Sequence, residues 1–297
     1  MLALICGSGD LPRAVVNACD TPPVICALDG FAPAGLTPEI TFRLETLGSL
    51  LAWLSARGVT QVCLCGHIRR PNVDLAAVDS ATLAYLPRFA EALKLGDDGA
   101  LRVVLALFAE HGFEILAAHQ AAPQLLPNTG VLTTAQPNAG AQQDAAVGDA
   151  TLDQMGADDS GQACVIRDGQ VIAREGPAGT DAMLAAVARP GQDGSEKASD
   201  PFSWAMDQAD AALGAAADWL SGGGAERTGI LYKGPKPNQE RRVDLPVIGP
   251  ATVAAVARAG LAGIVIEAGG VMVLHQAQTR AALDAANLFL WVRERPR

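Results

Sequence analysis

Leu2-Ala3-Leu4-Ile5-Cys6-Gly7-Ser8-Gly9-Asp10-Leu11-Pro12 opens the chain with five apolar residues, a turn bracketed by glycines, and a proline. Ala14, Val15 and Ala18 then continue at helical spacing. An apolar run without alternation marks a strand buried on both faces, and proline suits a first helical turn, where its missing N–H would have no partner. The stretch therefore reads as strand, tight turn and helix, the opening of a parallel α/β sheet. Such a turn lets backbone N–H groups at a helix N-terminus meet phosphate or another anion, which makes Gly7, Ser8, Gly9, Asp10 and Leu11 candidate binding residues. The dinucleotide fingerprint is incomplete, because Pro12 stands where its third glycine would be. Asp29, after the strand Val24-Ile25-Cys26-Ala27-Leu28, falls roughly where that fingerprint places a ribose-binding acid, and reads equally as an acid at a strand end.

The alternation continues outward. Leu47, Leu50, Leu51 and Leu54 lie on one helical face that stops at Gly58, and Gln61-Val62-Cys63-Leu64-Cys65 reads as the next strand. Gly66-His67-Ile68-Arg69-Arg70-Pro71 follows it, placing glycine and cations at a strand's carboxyl end, where open parallel sheets bind ligands. Gly66, His67 and Arg70 are candidates there, His67 as a contact residue rather than a metal ligand. Gly96-Asp97-Asp98 precedes an amphipathic helix, so one of these acids reads as its N-cap. Phe113-Glu114-Ile115-Leu116 supplies a last strand, and residues 120–128 look like the exit from a first domain spanning 1–126.

A second α/β domain is read over 133–297. Residues 138–148 are helix-prone, and Ala163-Cys164-Val165-Ile166 and Gln170-Val171-Ile172-Ala173 flank an Asp168-Gly169 hairpin turn. Thr180 or Asp181 is placed to cap the next helix. Residues 189–227 read as a low-complexity linker with one weak helix, a flexible insertion near 190–226. Further on come a helix over 250–259, strands over 263–266 and 271–274, a helix over 276–286 and a strand over 288–292. His119 and His275 read as structural, and His111 as a helix-end residue.

Residues 233–250, Lys-Gly-Pro-Lys-Pro-Asn-Gln-Glu-Arg-Arg-Val-Asp-Leu-Pro-Val-Ile-Gly-Pro, form a basic island in a chain of formal net charge -10. Lys233, Lys236, Arg241 and Arg242 are cations, and Glu240 and Asp244 are carboxylates. Prolines and glycines oppose regular structure here, so the segment reads as a shaped loop. Cations that grip phosphate, beside carboxylates that hold a metal or activate water, suit phosphoryl chemistry; a solvated charged loop is the plainer reading. With 297 residues, 49% apolar and 4% aromatic, the composition fits a globular, Ala-rich α/β protein of two domains. The acidic balance opposes nucleic-acid binding. Six cysteines lie mostly in apolar runs with no Cys-x-x-Cys pair, and read as reduced core thiols. The opening strand leaves no basic leader and no apolar run reaches bilayer length, so a cytoplasmic location is expected.

Together these ordered motifs, with Asp159-Ser160-Gly161-Gln162 and Glu175 followed by Gly179-Thr180-Asp181-Ala182-Met183-Leu184, resemble the LpxI family of UDP-2,3-diacylglucosamine pyrophosphatases nearly end to end. The resemblance implies a Rossmann-like N-terminal domain, a distinct C-terminal α/β domain and substrate held between them. It also implies Mg²⁺-dependent hydrolysis of UDP-2,3-diacylglucosamine to UMP and 2,3-diacylglucosamine 1-phosphate (lipid X), a lipid A precursor. On it, Asp244, Glu240 and Lys233 are taken as catalytic. Gln162, Thr180, Asp181, Lys236, Gln239, Arg242 and Asp97 join the candidates named above as substrate contacts; the metal ligands are not assigned. Family members commonly carry Lys in place of His67 and Asp in place of Glu240, while Asp244 keeps the family form and is the leading acid. Residues 189–227 are longer than the family pattern. Peripheral contact with the inner membrane and a homo-oligomer are left open. A non-catalytic UDP-lipid-binding regulator and a nicotinamide-dependent oxidoreductase are the competing readings.

Asp244→Asn keeps size and hydrogen-bonding capacity while removing charge. If Asp244 acts in the chemical step, turnover should fall by ~10²-fold or more with substrate binding retained. Near-parent turnover of the folded variant at saturating Mg²⁺ and substrate would move the role to Glu240.

Overall fold

A computed structural model of the protein describes residues 1–69, 73–94, 96–158, 160–188, 227–236, 241–243 and 245–295. Arg70, Asp159, Gln239, Glu240, Asp244 and the 190–226 insertion lie outside these residues, as does the side chain of Asp97. The chain divides into two compact units, Met1–Gln124 with Arg241–Val243, and Leu125–Glu240 with Asp244–Arg297.

In the first unit the apolar runs of the sequence are strands of one parallel sheet. These are β1 (Leu2–Cys6), β2 (Val24–Leu28), β3 (Ile40–Phe42), β4 (Gln61–Cys65) and β5 (Glu114–Ile115), in the order β3-β2-β1-β4-β5. The helices are α1 (Leu11–Ala18), α2 (Leu47–Ala56), α3 (Leu86–Lys94), α4 (Gly96–Glu110) and the single turn α5 (Ala118–Ala121). Leu50, Leu51 and Leu54 of α2 and Leu107 and Phe108 of α4 pack in one core with Ala3 and Val62 of the sheet, as their helical spacing requires. Strand β3 escapes the sequence because it has three residues with only Phe42 buried, too short for any period to register. The cap reading of Gly96-Asp97-Asp98 is corrected: α4 already includes Gly96, so Asp97 and Asp98 fall inside its first turn.

Two glycines fasten the carboxyl ends of β1 and β4 together. Ser8 and His67 exchange backbone hydrogen bonds, Ser8 N–H to the His67 carbonyl at 2.9 Å and His67 N–H to the Ser8 carbonyl at 2.8 Å. A Cβ on Gly7 would meet the His67 carbonyl oxygen at 2.5 Å, and one on Gly66, at φ +96°, would meet the Gly7 carbonyl oxygen at 2.7 Å. Only glycine permits this approach.

The second unit is built on a mixed six-stranded sheet. Its strands are β6 (Gly130–Val131), β7 (Ala163–Arg167), β8 (Gln170–Arg174), β9 (Ile230–Lys233), β11 (Gly263–Glu267) and β13 (Phe289–Arg293), in the order β6-β13-β11-β9-β7-β8. The central β9, β11 and β13 are parallel, and β6, β7 and β8 add antiparallel edges. The β7–β8 hairpin turns on Asp168 and Gly169, both at positive φ, which is the demand that Asp-Gly meets. The segment over 271–274 is not part of this sheet. Its Met272–Val273 (β12) pairs with Val247–Ile248 (β10) in a separate two-stranded parallel ribbon.

Helices α6 (Ala139–Ala157), α7 (Gly179–Val187), α8 (Pro250–Arg258) and α9 (Gln276–Ala285) complete the unit. Because strand side chains alternate between faces, β9 supplies two cores. Leu231 packs with Leu184 of α7, Val253 and Val256 of α8 and Leu283 of α9, whereas Ile230 and Tyr232 pack with Ala145, Leu152 and Met155 of α6. The reading of Lys233 as a loop residue is thereby overturned. It is the last residue of β9, which is buried throughout, and the irregular backbone begins only at Gly234.

Packing of Tyr232 on α6 makes a glycine pair diagnostic. A Cβ on Gly148 would lie 2.6 Å from the Tyr232 ring, whereas one on Gly140 in the same helix meets nothing nearer than 3.4 Å. Gly140→Ala should stabilise by ~0.5–1 kcal/mol through helix propensity. Gly148→Ala should reverse that sign and cost ~1–3 kcal/mol through overpacking. Urea unfolding of the two variants checks the contrast.

Candidate active site

Alternation on β9 sends Lys233 to the face shared with Leu231, against α7. Its side chain is buried, 6% exposed, and its Nζ donates to Thr180 Oγ1 at 2.8 Å. The Thr180 hydroxyl in turn donates to Glu175 Oε1 at 2.6 Å, and the other Glu175 oxygen accepts the Gln162 N–H at 2.8 Å. Glu175 is itself buried, 8% exposed. Lysine, hydroxyl, carboxylate and backbone amide thus form one continuous hydrogen-bonded chain.

The local backbone explains how distant motifs arrive there. Strand β7 lies antiparallel to β9 with Ala163 opposite Lys233, and just outside this pair the Gly234 N–H donates to the Gln162 carbonyl at 3.1 Å. On the other side of β7 the Glu175 N–H donates to the Ala163 carbonyl at 2.9 Å. Gly161, at φ +62°, makes the turn into this arrangement possible, since a Cβ there would sit 2.3 Å from the Glu175 carbonyl oxygen. Thr180 and Asp181 do not cap α7. Ala178 occupies the cap position, and the Thr180 side chain is committed to Glu175 and Lys233 instead.

Lys233 reaches a cavity of about 220 Å³ lined by Ala178, Gly179, Thr180, Asp181, Val247 and Thr252. Ala178 to Asp181 are the cap and first turn of α7, and Thr252 lies in the first turn of α8, after Gly249. Two helix N-termini, with their positive dipole ends, therefore border the same space as the lysine. That combination suits a phosphate group. Burial lowers the pKa of Lys233, while the charges of Glu175 and Asp181 oppose that shift and favour the ammonium.

On the opposite face of the sheet the same strand ends carry a second polar set. The Tyr232 hydroxyl donates to Asp149, Arg293 pairs with Asp149 at 2.9 Å, and Arg295 Nη2 donates to the Asp149 carbonyl at 2.6 Å and pairs with Asp153. Burial and the Asp149 carboxylate raise the Tyr232 phenol, so it stays a donor. This network fixes β9 and β13 to α6 and leaves Lys233 to the other side.

In the first unit, Ser8 donates both its N–H and its hydroxyl to the His67 carbonyl, the latter at 2.9 Å. Gly9, Asp10 and Leu11 remain at the start of α1, where first-turn amides have no intrahelical acceptor. Arg241–Val243 groups with this unit, and Arg242 is exposed. The Nδ1 of His119 is buried without a hydrogen-bond partner, and burial, followed by the Arg241 charge, lowers its pKa, which favours the neutral ring. Residues missed from the sequence are Glu175, quoted in a motif but given no role, and Val247 and Thr252. Only contact across the sheet identifies them.

The lysine carries its own pH test. A folded pKa held below the unfolded one means that the unfolded chain binds more protons between the two values, so stability rises with pH through that window. Lys233→Gln removes the dependence. The stability of the parent relative to this variant should increase from pH 7 toward pH ~10, the unperturbed lysine range, as followed by thermal unfolding. A flat difference would contradict the shift.

The chain matches the LpxI N-terminal domain over residues 1–125 and the LpxI C-terminal domain over residues 128–291. It is 36% identical to the UDP-2,3-diacylglucosamine pyrophosphatase LpxI of Caulobacter vibrioides, an alignment covering 97% of this chain and 96% of that protein. Two domain matches in order and one full-length relative settle the family: this chain belongs to the LpxI family.

Proposed function

We propose that the protein is a hydrolase that cleaves UDP-2,3-diacylglucosamine to UMP and 2,3-diacylglucosamine 1-phosphate (lipid X) in lipid A biosynthesis, on the cytoplasmic side and with Mg²⁺. The observation that carries the chemistry is a buried lysine, held by Thr180 and Glu175, at a cavity bordered by the N-terminal turns of α7 and α8. The relative's name supports the substrate. In this reaction water attacks a phosphorus of the anhydride, the bridging P–O bond breaks, and the departing phosphate takes the electron pair. Each step gathers negative charge on phosphate oxygens, and preorganised cations and helix dipoles stabilise that charge most strongly where water is excluded.

In this reading Lys233 holds one phosphate, Glu175 acts on the substrate only through Thr180 and Lys233, and Asp244, with Glu240 as the alternative acid, deprotonates the water. The first half contributes uridine-nucleotide contacts through residues 7–11 and 66–67. Mg²⁺ prefers carboxylate and phosphate oxygens. Among the described residues no three His, Cys, Asp or Glu side chains converge on a metal position, and both Glu175 oxygens already accept hydrogen bonds. The described residues therefore do not form a Mg²⁺ cage, and in this reading Mg²⁺ would be held chiefly by the substrate's own phosphates.

Incubation with UDP-2,3-diacylglucosamine should release UMP in Mg²⁺ and lose most of that release in EDTA. Thr180→Val should lower turnover by ~10-fold or more through the freed lysine. Binding of the nucleotide lipid with no UMP release under any metal would favour the regulatory binder instead.

A further inference from the structure

Two threonines line the cavity at Lys233, and their hydroxyls are in different states. Thr180 Oγ1 accepts from Lys233 Nζ and gives its one hydrogen to Glu175, so it has none for a ligand. Thr252 Oγ1 accepts the N–H of buried Gly249 at 3.3 Å. That bond uses a lone pair and leaves the hydroxyl hydrogen, which meets no acceptor among the described residues.

The lysine is in the same condition. Its ammonium carries three N–H donors, of which one is directed at Thr180, and the residue is 6% exposed. Donors without a protein partner among the described residues, on a group nearly closed off from water, require an acceptor from elsewhere. Asp181 does not supply it: this carboxylate is exposed and acts on Lys233 through its charge, with no hydrogen bond between them. The backbone holds Thr252 in place beside these donors. Ile248 of β10 accepts the Leu274 N–H at 2.9 Å, the Val253 N–H closes the first turn of α8 on the Gly249 carbonyl at 3.1 Å, and Val253 and Val256 are buried in the core with Leu231. With Val253 turned to the core, its neighbour Thr252 faces the cavity.

We propose that Thr252 is a further substrate-binding residue, whose hydroxyl donates to the phosphate group that Lys233 holds. The inference rests on the proposed anhydride hydrolysis and gives the two threonines separate tasks: Thr180 positions the lysine, and Thr252 touches the ligand. Donors from both sides of the cavity call for a group that offers acceptors. The phosphates of a nucleotide-sugar anhydride are such groups, ionised and without hydrogens at neutral pH. A hydroxyl donating to an ionised oxygen makes a charge-assisted bond, stronger than one between neutral groups. Because that bond is present both before and during cleavage, its loss weakens binding more than turnover.

The test uses the full-length protein with Thr252→Val, Thr252→Ser and Thr252→Asp. Each is assayed for UMP release from UDP-2,3-diacylglucosamine and titrated with inorganic phosphate in thermal unfolding, against chloride at matched ionic strength. Thr252→Val should raise KM by about tenfold or more and leave kcat within about threefold. Thr252→Ser restores the hydroxyl and should stay within about threefold of the parent in both. The phosphate concentration needed for a given rise in Tm should climb in Thr252→Val by the same factor as KM. Thr252→Asp keeps an acceptor for the Gly249 N–H and carries a charge suited to a first helical turn, so it should fold as stably as the parent yet lose the stabilisation by phosphate. An unchanged KM or an unchanged phosphate dependence in Thr252→Val, whatever its Tm, would make Thr252 a helix cap alone and overturn the contact. So would a Thr252→Ser protein as impaired as Thr252→Val, a Thr252→Asp protein that phosphate still stabilises, or a parent that phosphate does not stabilise. A parent that releases no UMP but whose phosphate stabilisation depends on Thr252 would uphold the contact and sink the hydrolase reading alone.

Discussion

A lysine ammonium withdrawn from water needs acceptors and an opposing charge, or it gives up its proton. At Lys233 that requirement is met by Thr180 and, behind it, Glu175. The condition propagates. Glu175 must be buried as well, so its second oxygen needs a donor, which is the Gln162 amide. Gln162 can reach it only because Gly161 lets the backbone pass the Glu175 carbonyl. One buried charge therefore explains the shape of a turn, the placement of a hairpin strand and the course of the chain as it leaves β9 at Gly234.

The arrangement also determines what the cavity can hold. Among the described residues, lysine, two helix N-termini and one carboxylate, Asp181, make a space biased toward an anion. The bias is preorganised because Tyr232, Asp149, Arg293 and Arg295 anchor the opposite face of the same strands. Neither face could serve alone, since a strand end free to twist would lose the register that puts Lys233 beside Thr180. In the first unit the comparable constraint is steric. Gly7 and Gly66 bring the ends of β1 and β4 into contact, and the Ser8–His67 pairing turns two loops into one rigid edge.

Most of the fold was legible because it is written in local patterns. The unbroken apolar run of residues 2–6, the glycine turn and Pro12 specified β1 and α1, and the spacing of Leu47, Leu50, Leu51 and Leu54 specified a helix that does face the core. Asp168-Gly169 specified a hairpin. Ordered motifs along the whole chain carried the resemblance that the domain matches and the relative bear out. What failed was short or masked by context. β3 and β6 have too few residues to show a period, and β9 ends in a lysine that composition assigns to a loop.

The sequence by itself determined the class of the two halves, the order of their central elements and the family, because hydrophobic period and turn chemistry act over a few residues. It also offered Lys233, Thr180, Asp181 and Gln162 as separate candidates. Only the tertiary structure decided that Lys233 is buried, that Glu175 joins it to Gln162 through Thr180, and that the first turns of α7 and α8 border one cavity. The reason is physical: these groups are 71 residues apart from Gln162 to Lys233, and what joins them is the antiparallel register of β7 on β9, a long-range pairing that no local pattern encodes.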